Sequence, residues 1–523
     1  MESIQQIGAE VELYISAQHL KNLDLLSKSD PMCRILIRTD TKSAWSKLGE
    51  TEVIKDNLNP VFKTNFKIFY QFESHQYLRF EMLDEDSPGK YESLGECEAS
   101  VGQIAGSQGF KLEIPLLKGG TDTKSVLIAQ VIPLKVSSWD VNLRLSAINL
   151  PGHTTCLCMS EKRHQLEIQR IENIGGTNRF LTQYVSEITR SDTTTTGFIP
   201  ISIKGQKLCN SDKNKPLLFK FNNNIDGTSH VIGETVASVQ QLQDVNCHDI
   251  KDRHHRVLGQ LMINHIQVKE KPTFIQYLQS GWGINLSIAI DYTGSNGNPS
   301  WPSSLHYLGD QNQYEMAITQ VGSILECYDT DRMFPVFGFG GIPKFMGQNL
   351  VNHCFPLNGI YENPFVFSTA GILQLYRQNL PGIELSGPTY FSHILNQITA
   401  IVKSRENEQI YNVLLILTDG EIHDMQQTKQ ILVEASKTPL SVIIIGVGNE
   451  NFTMMRELDA DERILQDNFG QRAVRDIVQF VRFRDHAKNY PGLASEVLKE
   501  LPEQFVNYML YKNIMPNGFI PSV

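Results

Sequence analysis

The hydrophobic pattern of the chain changes kind once, at Lys271-Pro272, and that change limits each side to a different class of fold. Before it, from residue 10 to about 268, short runs alternate apolar and polar residues and are punctuated by Gly, Pro, Asn and Asp. Val11-Glu12-Leu13-Tyr14-Ile15, Leu78-Arg79-Phe80-Glu81-Met82 and Leu143-Arg144-Leu145-Ser146-Ala147 are examples. A period of two belongs to a strand with one buried face, and many such strands between turn signals predict antiparallel β-sandwiches. Beyond Lys271-Pro272, apolar runs at 284–291, 333–339, 413–418 and 440–447 carry few charges. Segments of helical period lie between them, at 314–327, 365–376, 391–402 and 428–436. Such alternation predicts a mostly parallel, doubly wound sheet of the Rossmann-like α/β class, with helices on both faces. Two more helices are predicted at 474–483 and 494–510.

The β-rich part contains an echo of itself. Ser93-Leu94-Gly95-Glu96 follows one loop, and Val231-Ile232-Gly233-Glu234 follows another about 140 residues later. Two homologous sandwiches account for that spacing, and 523 residues exceed what one core can serve. The expected organisation is a first sandwich at 1–135, a second at 136–270 and an α/β domain at 271–523.

A net charge of −10 argues against a nucleic-acid binder. No run of eighteen apolar residues is present to cross a bilayer as a helix. Met1-Glu2-Ser3-Ile4 begins neither a signal peptide nor a myristoylation site, so a cytoplasmic protein is expected. Eight scattered cysteines fit reduced thiols, Cys156-Leu157-Cys158 being the one tight pair. Cys247-His248 with His254-His255 matches no standard zinc spacing and reads as a solvated loop.

Acids concentrate in two loops of the first sandwich. Asp24 and Asp30 flank Leu25-Leu26-Ser27-Lys28-Ser29, Asp84 and Asp86 alternate at a strand end, and Glu92 follows. Calcium takes six to eight hard oxygen ligands, which clustered loop carboxylates supply. The spacing, with Asn57-Leu58-Asn59-Pro60-Val61-Phe62 between the loops, resembles a C2 domain. That resemblance implies Asp24, Asp30, Asp84, Asp86 and Glu92 as calcium ligands, with Glu92 standing where Asp is usual. Leu25, Leu26 and Tyr91 lie between ligands, placed to dip into a lipid interface. In the second sandwich, Phe221-Asn222-Asn223-Asn224-Ile225-Asp226-Gly227-Thr228-Ser229-His230 resembles the same loop with its acids lost. Ligand positions are expected at Asn222, Asn224 and His230, and the loop 147–155 holds no acid. Neutral amides and imidazole do not offset the dehydration of a doubly charged ion, so this sandwich is expected to be structural or protein-binding.

In the α/β part, Asp291-Tyr292-Thr293-Gly294-Ser295 and Leu417-Thr418-Asp419-Gly420 each end a core strand, where open α/β sheets bind ligands. With Gly387-Pro388-Thr389 between them, they form an oxygen-rich set suited to magnesium or manganese. The arrangement resembles the metal-ion-dependent adhesion site of von Willebrand A domains, implying Asp291, Thr293, Ser295, Thr389 and Asp419 as ligands. Together with Gly338-Phe339-Gly340, Glu421-Ile422-His423-Asp424-Met425, the stretch 439–448 and Asp476-Ile477-Val478-Gln479-Phe480-Val481, the chain resembles the copine family over nearly its whole length.

The resemblance implies a calcium-dependent phospholipid-binding protein of the cytoplasm. It would join anionic phospholipid membranes, including the plasma membrane, peripherally when calcium rises, and recruit protein partners through its A-like domain. No nucleic acid is expected as partner, and the alternative is a protein scaffold with incidental membrane contact. No enzyme is expected: phosphate-binding loop and nucleophile elbow are missing, and His353-Cys354 reads as structural. The RING finger that ends some plant copines is not expected either, since no cysteine follows Cys354.

Overall fold

The computed structural model describes residues 8–24, 27–40, 43–134, 138–151, 162–174, 177–191, 194–225, 228–420, 422–459, 464–486 and 490–519. Leu25, Leu26, the Cys156–Cys158 pair, Gly152–Thr155, Asp226 and Glu421 therefore lie outside the described residues. Two compact units are formed. One joins Met1–Lys135 with Phe274–Asn517; the other holds Val136–Thr273 and Gly518–Val523.

The amino-terminal part of the first unit is an all-antiparallel eight-stranded sheet. Its burial follows the sequence alternation: in Ala9–Gln18 every second residue from Ala9 to Ala17 is buried. The long hairpin Tyr77–Ser87/Lys90–Ser100 carries the acidic turn at one end and, at the other, the short helix Val101–Gly106. A capping box between Ser100 and Gln103 starts that helix, each side chain meeting the other's backbone N–H.

The α/β part of the same unit has a parallel core of five strands, Met333–Phe339, Gly283–Asp291, Ile410–Thr418, Leu440–Gly446 and Val478–Arg482 in spatial order. Gly283–Asp291 is buried at all positions after the first, as a strand covered on both faces must be. The helix expected at 474–483 is instead the strand Val478–Arg482, pairing in parallel with Leu440–Gly446. Val478, Phe480 and Val481 suit a pleated surface, and so short an apolar run has no period to separate strand from helix. The helix expected at 494–510 is two, Tyr490–Leu498 and Leu501–Tyr511, with Pro502 in the first turn of the second. Likewise the helix expected at 365–376 begins only after the strand Phe365–Phe367, as Ser368–Asn379.

The second unit is a ten-stranded antiparallel sheet with its own core around Trp139, Leu166, Phe219 and Phe221. The echo now has a physical cause. A Cβ on Gly95 would stand 3.2 Å from the Leu117 carbonyl, and one on Gly233 2.9 Å from the Lys251 carbonyl. Both positions favour glycine because the next strand passes close.

Candidate functional site

The first site is the acidic rim of the amino-terminal sandwich. Carboxylate oxygens of Asp24, Asp84 and Asp86 lie within 4.8 Å of one another. Asp84 is wholly buried. Its Oδ1 accepts the Asp30 backbone N–H at 2.6 Å, while its Oδ2 is buried with no hydrogen-bond partner among the described residues. Desolvating a carboxylate oxygen without a donor is costly, so this atom is suited to a cation. Asp24 accepts the Ser27 hydroxyl at 2.9 Å.

Asp30 and Glu92 stand outside that triplet. Asp30 is half-buried and accepts the Asp56 N–H at 2.8 Å and the Lys55 ammonium at 2.8 Å. The Lys55 bond holds its carboxyl below the usual range. Glu92 pairs across the hairpin with Asp84 but is exposed and reaches Lys118 at 3.5 Å. The structure thus gathers three of the five expected ligands and gives the other two basic neighbours. Lys55 had escaped the sequence reading: a lysine 25 residues from its aspartate leaves no periodic trace.

The equivalent turn of the second unit carries a correction. Met82 pairs with Gly95 and Phe221 with Gly233, and in each hairpin the register slips immediately afterwards. Asp84 then faces Glu92, and Asn223 faces His230. Asn223, not Asn222 as the sequence suggested, therefore occupies the place of Asp84, because the first hairpin has a further slip between Glu85 and Ser87 that the second lacks. It too is buried, with its Oδ1 lacking a hydrogen-bond partner among the described residues. Across from it, where the first sandwich has Pro31, stands buried His164, its ring nitrogens 2.8 Å from the Thr196 hydroxyl and 3.2 Å from the Pro151 carbonyl. Asn224 donates to Gln165.

The second site closes the carboxyl ends of Gly283–Asp291 and Ile410–Thr418. Asp291 Oδ1 accepts the Thr293 N–H at 2.8 Å and its hydroxyl at 2.6 Å. Oδ2 takes the Thr418 hydroxyl at 2.6 Å. Thr293 Oγ1 also lies 3.0 Å from Ser295 Oγ and 3.3 Å from Asp419 Oδ1, and Ser295 donates to Asp419 at 3.0 Å. One hydroxyl proton on Thr293 meets three oxygens, so acceptors exceed donors. Burial pushes Asp291 above the usual carboxylate range. Burial, and then the Asp291 charge, push Asp419 up to about 7. Hydroxyl and backbone hydrogen bonds oppose the rise at both acids without cancelling it.

Thr389 is buried near His423, whose backbone N–H its carbonyl accepts at 2.9 Å, but its hydroxyl makes no hydrogen bond to the other four among the described residues. Gly340, at φ 74°, makes room for Thr293, since a Cβ there would lie 2.4 Å from its methyl group. Two supporting residues were missed from sequence. Thr418 was signalled only as the hydroxyl ending an apolar run. His306, fully buried between Asp291 O at 2.8 Å and Tyr376 Oη at 2.7 Å, lies in a loop and gave no signal. Elsewhere, burial pushes the Cys354 thiol up to about 12, the reverse of what a nucleophile requires.

A C2 domain model matches residues 11–116, and a Copine model matches residues 304–517. Copine-A of Dictyostelium discoideum is 34% identical over 97% of this chain and 85% of its own length. The chain belongs to the copine family. Copine-D of the same organism is 33% identical over 99% of each chain. Among solved structures, the calcium-bound tandem C2 domains of Extended-Synaptotagmin 2 cover 50% of this chain and 96% of that one. Identity there is 16% and the TM-score 0.21, too low to bear on either site. Among the described residues no helix is long and apolar enough to cross a membrane.

Proposed function

We propose that this protein binds calcium at the rim of its first sandwich and, so loaded, attaches peripherally to anionic phospholipid membranes. The observation that carries the reading is Asp84 Oδ2, buried without a donor beside Asp24 and Asp86. Calcium supplies positive charge to a rim that anionic headgroups would otherwise repel, and lipid phosphate oxygens can complete its coordination. Asp24, Asp84 and Asp86 would hold the ion. Asp30 joins once Lys55 swings aside, and Glu92 joins by turning from Lys118. Exposed Tyr91 stands beside them at the interface. Sedimentation of the full chain with phosphatidylserine vesicles should require calcium, reverse with chelator and weaken on pure phosphatidylcholine. Equal sedimentation with and without calcium would leave the scaffold reading standing in its place.

In the α/β domain, Asp291, Thr293, Ser295 and Asp419, with Thr389 beside them, fit a small hard cation such as magnesium or manganese. The support is the excess of acceptors around the buried Thr293 hydroxyl. Such an ion would supply an electrophilic position for an acidic side chain of a protein partner. Asp419→Ala should lower partner capture in magnesium to the level seen with chelator, leaving calcium-dependent sedimentation unchanged.

A further inference from the structure

The first sandwich and the α/β domain of the first unit are joined base to base. Tyr70 and Tyr328 share a buried hydroxyl contact, and His75 meets the Ser323 hydroxyl at 2.9 Å. Phe72 packs its ring on Phe274 at 4.9 Å and on Tyr328 at 4.8 Å. Phe274 in turn packs edge-on against Phe505 of the last helix at 5.2 Å. The helix Val101–Gly106 lies so close that a Cβ on Gly106 would stand 1.9 Å from the Cys327 carbonyl oxygen. Buried aromatic and backbone contacts of this kind do not slide freely, because any tilt opens gaps in a packed core.

Strand direction then locates both sites. In the sandwich, Tyr77 pairs with Ser100 at the junction, and the strand runs from there to Asp84 and the rim, about 23 Å at 3.3 Å per residue. In the α/β domain, a Cβ on Gly283 would lie 3.5 Å from the junction residue Tyr328. The strand leaves that point and ends at Asp291, about 26 Å away. The helix Gln313–Leu325 agrees: Gln313 Oε1 accepts the Gly448 N–H beyond the site's strands, while Ser323 touches the sandwich. Each candidate metal site therefore stands at the end of its domain farthest from the joint.

We propose that the first unit is a rigid spacer which, when its calcium rim rests on a bilayer, holds the Asp291/Asp419 end off the lipid surface. Its partner is then a protein that reaches it from the aqueous side, carrying an acidic side chain, and not one embedded in the same bilayer. The stand-off rests on the membrane reading above, and the acidic side chain of the partner on the metal reading of the Asp291/Asp419 site.

The test places a dye, by unnatural amino acid, at Lys28 between the rim aspartates or at exposed Trp301, just past Ser295. Energy transfer is read to a headgroup acceptor in vesicles of phosphatidylserine and phosphatidylcholine with saturating calcium. Transfer from Lys28 should exceed that from Trp301 at least fivefold. In Gly106→Trp, which forces the joint apart, the Trp301 signal should rise while Lys28 stays unchanged. Equal transfer from both positions in the otherwise unaltered chain overturns the spacer while leaving membrane binding intact. No calcium-dependent transfer from either position overturns the membrane reading and the spacer with it. A Trp301 signal unmoved by Gly106→Trp shows that the joint does not set the stand-off.

Discussion

The two antiparallel sheets of this chain each end in a hairpin with the same slip after Met82 or Phe221, yet they place opposite chemistry at the tip. In the first, Asp84 is buried with a bare carboxylate oxygen and faces Asp24 and Asp86. In the second, Asn223 holds the same place in the ladder, with His164 opposite and Asn224 tied to Gln165. A bare amide oxygen costs less to bury than a bare carboxylate, so the first tip has more to gain from a cation than the second. The comparison points to the set of carboxylates at the tip, and not to the scaffold, as what sets the proposed response to calcium.

The largest expected effect comes from making the first tip resemble the second. Asp84→Asn with Asp86→Asn should weaken calcium binding to the full chain by on the order of 100-fold, since affinity follows ligand charge. Calorimetric titration checks this, and an unchanged isotherm would place the ion elsewhere. The reverse exchange is the next largest. Asn223→Asp buries one carboxylate without the rest of a cage, so it should destabilise the second sandwich by about 1–3 kcal/mol without creating a calcium response. A calcium-induced rise in its melting temperature would break the comparison. The smallest effect is at Lys55, which competes for Asp30 through a largely exposed ion pair. Lys55→Gln should tighten calcium binding by no more than about fivefold, the range of exposed pairs. A weaker site in that variant would mean Lys55 orders the rim and does not oppose the ion.

Much of this was legible in the sequence because it rests on local pattern. Alternation in Val11–Ile15 and unbroken apolar runs such as 413–418 separate one-faced from two-faced strands directly. The acids declared themselves by charge and spacing. What escaped depends on register or on distant neighbours. The second slip of the first hairpin, between Glu85 and Ser87, has no counterpart after Asn223 and so moves the ligand position to Asn223, and no count along one strand reveals a slip against its partner. Val478–Arg482 read as helix because five residues hold no period. His306 beneath Asp291, Lys55 on Asp30 and the Tyr70–Tyr328 contact are each made across loops or between domains, where the folded chain alone creates the neighbour.

The most direct test of the asymmetry is calcium-dependent sedimentation of the full chain with phosphatidylserine vesicles, comparing Asp84→Asn with Asn223→Ala. Both variants alter the same ladder position in a buried tip: the first removes a charge and keeps a polar amide, and the second removes the amide. The account predicts that Asp84→Asn stays in the supernatant at calcium concentrations that pellet the unaltered chain, whereas Asn223→Ala pellets with an unshifted calcium midpoint. If the two variants shift that midpoint equally, or if Asn223→Ala alone abolishes it, the calcium switch does not reside in the first sandwich.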